Sequence, residues 1–199
     1  MITNSRILLI APLAIFGFSG IALYFYFILF PSDSPFHDNL LPELIGFCLE
    51  GFFLVGLLSL IQSARERARR KELWLSLRGV MRGMLSNLDI AFLSPNSEPT
   101  DTKELEESIE IVSRFMKELE DNRLNLRSMT SLKRESIRTL SMARDMIPVA
   151  AQLGAVHMRW WIAIVDSIRQ LSKASNREDV EQNVYLMLEN MNEFDQLGY

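Results

Sequence analysis

The chain reads as an all-α protein: a two-span transmembrane helical hairpin followed by a cytosolic antiparallel helical bundle. Three observations predict it. Two long apolar stretches, 7–30 and 44–61, fill the first third of the chain. Nearly all the charge lies beyond position 64. From Leu73 onward apolar residues recur three or four apart, the spacing of one helix face, and no strand-like alternation competes.

Whole-chain averages conceal this division. The 199 residues carry 48% hydrophobic side chains and a formal charge of −4. Of 21 Lys and Arg only Arg6 precedes Ile61, and of 25 Asp and Glu only Asp33, Asp38, Glu43 and Glu50 do. The remaining 20 basic and 21 acidic residues are too balanced for a strongly basic nucleic-acid domain, so direct sequence-specific nucleic-acid binding is not expected. The organisation expected is a hairpin over 1–62, a basic juxtamembrane region and connecting helix over 63–93, and a bundle over 100–199.

As a helix, residues 7–30 reach about 36 Å, enough for a hydrocarbon core of about 30 Å. Pro12 then falls in the first turns, where a missing amide proton costs least. Tyr24, Tyr26 and Phe30 crowd the far end, as interfacial aromatics do. The run is longer than a signal-peptide core of about 7–15 residues, and no small-x-small cleavage site follows. The connector over 31–39 is rich in Pro and Ser, which predicts a non-helical link, with the second span starting after Pro42. Its far end meets Arg65, Arg67, Arg69, Arg70 and Lys71, whereas the connector holds no Lys or Arg. By the positive-inside rule both termini are then cytoplasmic, and the cluster sits at the membrane surface.

Glu50 is the most informative residue, because a carboxylate inside an apolar span must find a partner, a proton or water. Two readings stand. Counting about 9 Å inward from Leu44 and from Phe30 brings Glu50 level with Tyr24, whose phenol could hydrogen-bond the carboxyl. Alternatively Glu43, one heptad earlier, shares its face with Gly46 between them, and assembled hairpins would form acidic rings that pass cations. Gly46, Gly51 and Gly56 recur every fifth residue, so they drift around the helix, and close packing on a neighbour is expected without a Gly-x-x-x-Gly seam. Cys48, the single cysteine, reads as a small packing or lipid-facing residue.

Beyond the span, positions 73, 77, 80, 84, 88 and 91 mark a helix continuous with it, with Arg78 and Arg82 off the apolar face as solvated charges. It stops at 94–99. Asp101 with Glu104 resembles a capping box, and Leu105, Ile109, Val112, Met116 and Leu119 make the next stripe. After a turn at Asp121-Asn122, Leu132, Ile137, Leu140, Ala143 and Ile147 mark another helix, after which Pro148 either opens a new helix or kinks a long one. Val149, Leu153, Val156, Trp160, Ile164, Ile168 and Leu171 follow as one stripe. Ser175 with Glu178 then opens a last helix carrying Val180, Val184, Met187, Met191 and Phe194 inward. Residues 146–165 are apolar enough to suggest a third span, but Gln152, His157 and Arg159 make them a core helix. Trp160 and Trp161 point to different sides, one to the core and one to a surface where a partner could bind.

No catalytic, metal or cofactor chemistry is expected. His37 and His157 fall on opposite sides of the membrane, and no cysteine pair exists for zinc. Phosphate-cradling glycine patterns, His-Glu-x-x-His and Gly-x-Ser-x-Gly are absent. Glu106-Glu107 and Glu118 with Glu120 read as solvated helix surface.

The layout of an Arg6-led N-terminus, a hairpin over 7–61, basic Arg65 to Lys71 and a helical cytosolic domain resembles two-transmembrane effectors of bacterial anti-phage systems, such as those accompanying some retrons and cyclic-oligonucleotide systems. That resemblance implies a membrane-disrupting toxin held silent by a cytosolic protein or ribonucleoprotein partner and released on infection. It also implies self-association of the hairpins in the bilayer. The alternative is a membrane-anchored scaffold or regulatory subunit, with the hairpin only a tether.

Overall fold

The computed structural model describes residues 2–30, 34–93 and 97–199, with side-chain detail from residue 11 onward. Among these residues there is no strand. The helices are α1 (Ile2–Leu29), α2 (Leu41–Phe92), α3 (Thr102–Glu107), α4 (Glu110–Asp121), α5 (Leu126–Asp145), α6 (Ile147–Leu153), α7 (Ala155–Lys173) and α8 (Arg177–Gln196), with a π-helical turn at Phe36–Leu40. The chain divides into two compact units, Met1–Arg67 and Ala68–Tyr199. α1 and α2 are long and apolar enough to cross a membrane, and no other helix among the described residues is.

In the first unit α1 and α2 meet in opposite order along the chain. Leu13 lies beside Gly56, Phe16 beside Gly51, Gly17 beside Phe52 and Gly20 beside Cys48. A Cβ at Gly51 would sit 2.6 Å from the Phe16 ring, so the missing side chain is what lets the ring lie against α2. Phe16 also meets Phe47 edge to face at 5.8 Å. Because α1 begins at Ile2, Pro12 lies in its interior rather than in its first turns. There it deletes one backbone hydrogen bond of the helix.

The connector is less irregular than its composition suggests. Residues 31–33 lie outside the described set, but Phe36–Leu40 is helical and runs directly into α2. The cause is His37, which is buried. Its amide donates to the Ser34 carbonyl at 2.9 Å, its ring stacks on Phe27 at 4.6 Å, and its Nε2 pairs with the Phe27 carbonyl at 3.1 Å. Pro42 lies where this turn passes into α2.

The second unit has one core. α2 supplies Trp74, Leu77, Met81, Met84, Leu85 and Leu88, all 3% exposed or less. α4 packs on α8, α8 on α7, and α7 on α5 and α6. Asn87 and Ser131 bond α2 to α5, and Asp89 binds Arg114 of α4 at 3.0 Å and the Thr100 hydroxyl at 2.6 Å.

Helix starts follow local chemistry. Asp101 caps α3 through the Lys103 amide, Asn125 caps α5 through Ser128, and Asn176, one residue after the expected Ser175, caps α8 through Asp179. Pro148 opens α6 rather than kinking α5.

Three expected core positions are exposed. Ile109 falls in the break between α3 and α4, so the phase restarts and Ile111, Val112 and Phe115 turn inward. Val156 follows Gly154, whose φ of 148° breaks the helix before α7, and His157, Trp161, Ile164 and Ile168 carry the core face instead. Ile137 lies opposite Met129, Leu132, Ser136 and Ala143, the inward side of α5.

Candidate functional site

Glu43 and Glu50 are both exposed on α2. At about 100° per residue their seven-residue separation keeps them on one side of the helix. Gly46 lies between them, and a Cβ there would meet nothing within 4 Å. Cys48, by contrast, is 7% exposed against Gly20, and Gly51 abuts Phe16. α1 therefore covers the Cys48/Gly51 side of α2 and leaves the Glu43–Gly46–Glu50 side open. Gly56 stands 3.8 Å from Leu13, so Gly51 and Gly56 belong to the contact with α1 while Gly46 does not.

Tyr24 does not reach Glu50. The pairing of Gly20 with Cys48 and Gly17 with Phe52 sets Glu50 level with Phe18, and Tyr24 level with Leu44. Tyr24 is half exposed, packs its ring edge to face on Phe25 at 6.4 Å, and shares no hydrogen bond with Glu50. The depth match fails because helix begins at Phe36, earlier than Leu44, which slides α2 along α1 by more than a turn. Gly17 and Gly20 were the missed half of this contact; their separation of three residues on one face of α1 was the available signal.

The basic cluster is divided by use. Arg65, Arg67 and Lys71 are exposed. Arg69 donates to the Gln152 side chain at 3.0 Å, and Arg70 donates to the Leu153 carbonyl at 2.9 Å. Both therefore serve the C-terminal end of α6, where unpaired carbonyls and the helix dipole favour a cation.

Arg78 overturns its expected role as a solvated charge, being 1% exposed. Its guanidinium donates to the carbonyls of Leu105, Glu106 and Ser108 at 3.2, 3.1 and 2.6 Å, and to Asp195 Oδ2 at 2.5 Å. One side chain thus closes the end of α3 and ties α2 to the last turn of α8. Burial pushes Asp195 up to about 7, with Arg78 pulling the other way. Burial also lowers Arg78, partly offset by Asp195. The inward face of α2 is wider and rotated relative to the expected stripe, because neighbours pack on it from more than one side and take in Trp74, Arg78 and Leu85. Arg82 is exposed as expected and pairs with Glu106 at 3.0 Å.

Trp161 is 1% exposed and donates its indole to the Ala143 carbonyl at 2.8 Å, so it is a core residue and no partner can reach it. Trp160 is partly buried, with Arg159 over its ring at 5.5 Å, and is the one of the pair with a surface. No group of His, Cys, Asp and Glu suited to a metal occurs among the described residues.

The chain matches no protein-family model, no curated protein and no solved structure.

Proposed function

We propose that the chain is a non-enzymatic inner-membrane protein whose two apolar helices cross the bilayer as a hairpin, with both termini cytoplasmic. The hairpins self-associate to permeabilise or depolarise the membrane. The helical unit beyond them binds a regulatory cytosolic protein or ribonucleoprotein, as in the anti-phage effectors that the layout resembles. One observation carries this reading: Glu43, Gly46 and Glu50 form a face of α2 that the chain's own first helix leaves open. A charged side chain near a span's centre costs about 2.5–3.5 kcal/mol on insertion scales. That cost falls when several copies turn the same face inward around water, and acidic rings of this kind pass cations.

Expression of the intact chain alone should collapse the membrane potential, read with a voltage-sensitive dye. Glu50→Gln should weaken the effect and Glu50→Leu abolish it at equal membrane abundance. An undisturbed potential with the wild type would end the proposal.

A membrane-anchored scaffold is the second reading, and the use of Arg69 and Arg70 within the helical unit rather than at lipid favours it. Exchanging residues 1–62 for an unrelated two-span anchor separates the two. A scaffold keeps its activity; an effector loses it.

A further inference from the structure

The helical unit is divided by charge. α5 carries five basic and two acidic side chains, whereas α8 carries six acidic and one basic. Arg127, Arg134 and Arg138 share the outward face of α5 with Leu126 and Ile137, which are 74% and 60% exposed. Arg138 has Glu135 on its own helix at 3.4 Å, while Arg127 and Arg134 have no ion-pair partner among the described residues. On α8, Glu178, Glu189 and Glu193 lie along the side opposite Val184, Met187 and Met191. Arg127 to Arg138 span eleven residues and Glu178 to Glu193 fifteen, about 16 and 22 Å of helix. No ion pair joins α5 to α8 within one copy among the described residues.

We infer that the outward face of α5 docks on the outward face of α8 in a second copy of this chain. The inference rests on the self-association reading and names the surface that would set its order. Two different faces of one subunit make a heterologous contact, which closes into a ring or runs on as a filament. A ring is the arrangement that gathers several α2 helices around one centre. A polyanion is the less suitable occupant, because the chain as a whole is acidic at −4 and already carries an acidic row long enough to cover the basic one. Rows of opposite charge also select one pairing and discourage α5 on α5 or α8 on α8.

The test uses the full chain in detergent or nanodiscs, with mass read by sedimentation or mass photometry. Wild type should assemble in 0.1 M salt and lose mass in 1 M salt, where the screening length falls from about 10 to 3 Å. R127E/R134E/R138E should be monomeric, as should E178R/E189R/E193R, and mixing the two should restore the assembly. Rescue on mixing excludes misfolding as the cause, since two unfolded variants do not repair each other. Assembly of the arginine variant at wild-type mass would overturn the inference while leaving pore formation through α2 to stand. Loss of potential in cells, followed separately, reports on that function. A wild type that is monomeric at low salt overturns the inference. So does a variant whose only change is weaker binding to RNA or to anionic vesicles, because the face then belongs to a polyanion.

Discussion

At the residue scale, the Arg78–Asp195 pair governs the stability of the helical unit. Both side chains are 1% exposed or less, and Arg78 serves three carbonyls besides. Arg78→Met leaves Asp195 and three carbonyls without their buried donor, so it should cost about 3–5 kcal/mol. Arg78→Met with Asp195→Leu should recover part of that loss, the remainder reflecting the carbonyls at the end of α3. Trp74, Trp160 and Trp161 are the three tryptophans and all lie beyond Arg67, so selectively excited tryptophan fluorescence during denaturation reports on this unit alone. The pH dependence follows from the carboxyl. Asp195 rises from an ordinary 3.8 to about 7 in the folded chain, so the folded state holds the extra proton between those values. Its contribution to stability is therefore complete below about pH 4 and is lost as pH rises through about 7. Asp195→Asn should flatten that part of the profile, and equal slopes for wild type and variant would contradict the assignment.

At the element scale, the seam between α1 and α2 is made by absent side chains. A Cβ at Gly20 would lie 3.2 Å from the Cys48 Cβ, close to the separation of about 3.5–4.5 Å found in disulfides. Gly20→Cys should therefore cross-link to Cys48 within one chain under mild oxidation, read as a gel-mobility shift reversed by reductant. Adding Gly51→Leu should abolish the cross-link, because the new side chain takes the place of the Phe16 ring. Adding Gly46→Leu should leave it intact, since a Cβ at that position would meet nothing within 4 Å. If the open face of α2 meets other copies, Gly46→Leu should nevertheless reduce depolarisation in cells. The two glycines, five residues apart on one helix, thus report on different contacts.

At the scale of the whole molecule, helix content, the two apolar helices and the run of α2 through the basic cluster were legible in sequence because each depends on local pattern. Apolar length marks a candidate span whatever packs beside it, and Asp101 caps α3 through an amide two residues away. Periodicity does not carry across a break: the gap between α3 and α4 resets the stripe at Ile109, and Gly154 resets it at Val156. Arg78 departs from its expected place because the inward width of a helix depends on how many neighbours it has, which no single-helix pattern records. The acidic face over Glu43 and Glu50 was visible in spacing alone. Which side of α2 remains open was not, because that depends on where Phe16 and Cys48 fall in the register with α1.

By itself the sequence determined the helical class, the two long apolar helices, the sharp segregation of charge and the Asp101 cap, since each is a property of neighbours within a few turns of chain. Only the tertiary structure decided that Tyr24 and Glu50 stand apart, that Arg78 is a buried tie between α2, α3 and α8, and that Arg69 and Arg70 hold α6. The reason is common to all three. Register and burial are set by contacts between segments distant in sequence, and a shift of one turn at a connector, or one added neighbour on a helix, changes which polar group faces which.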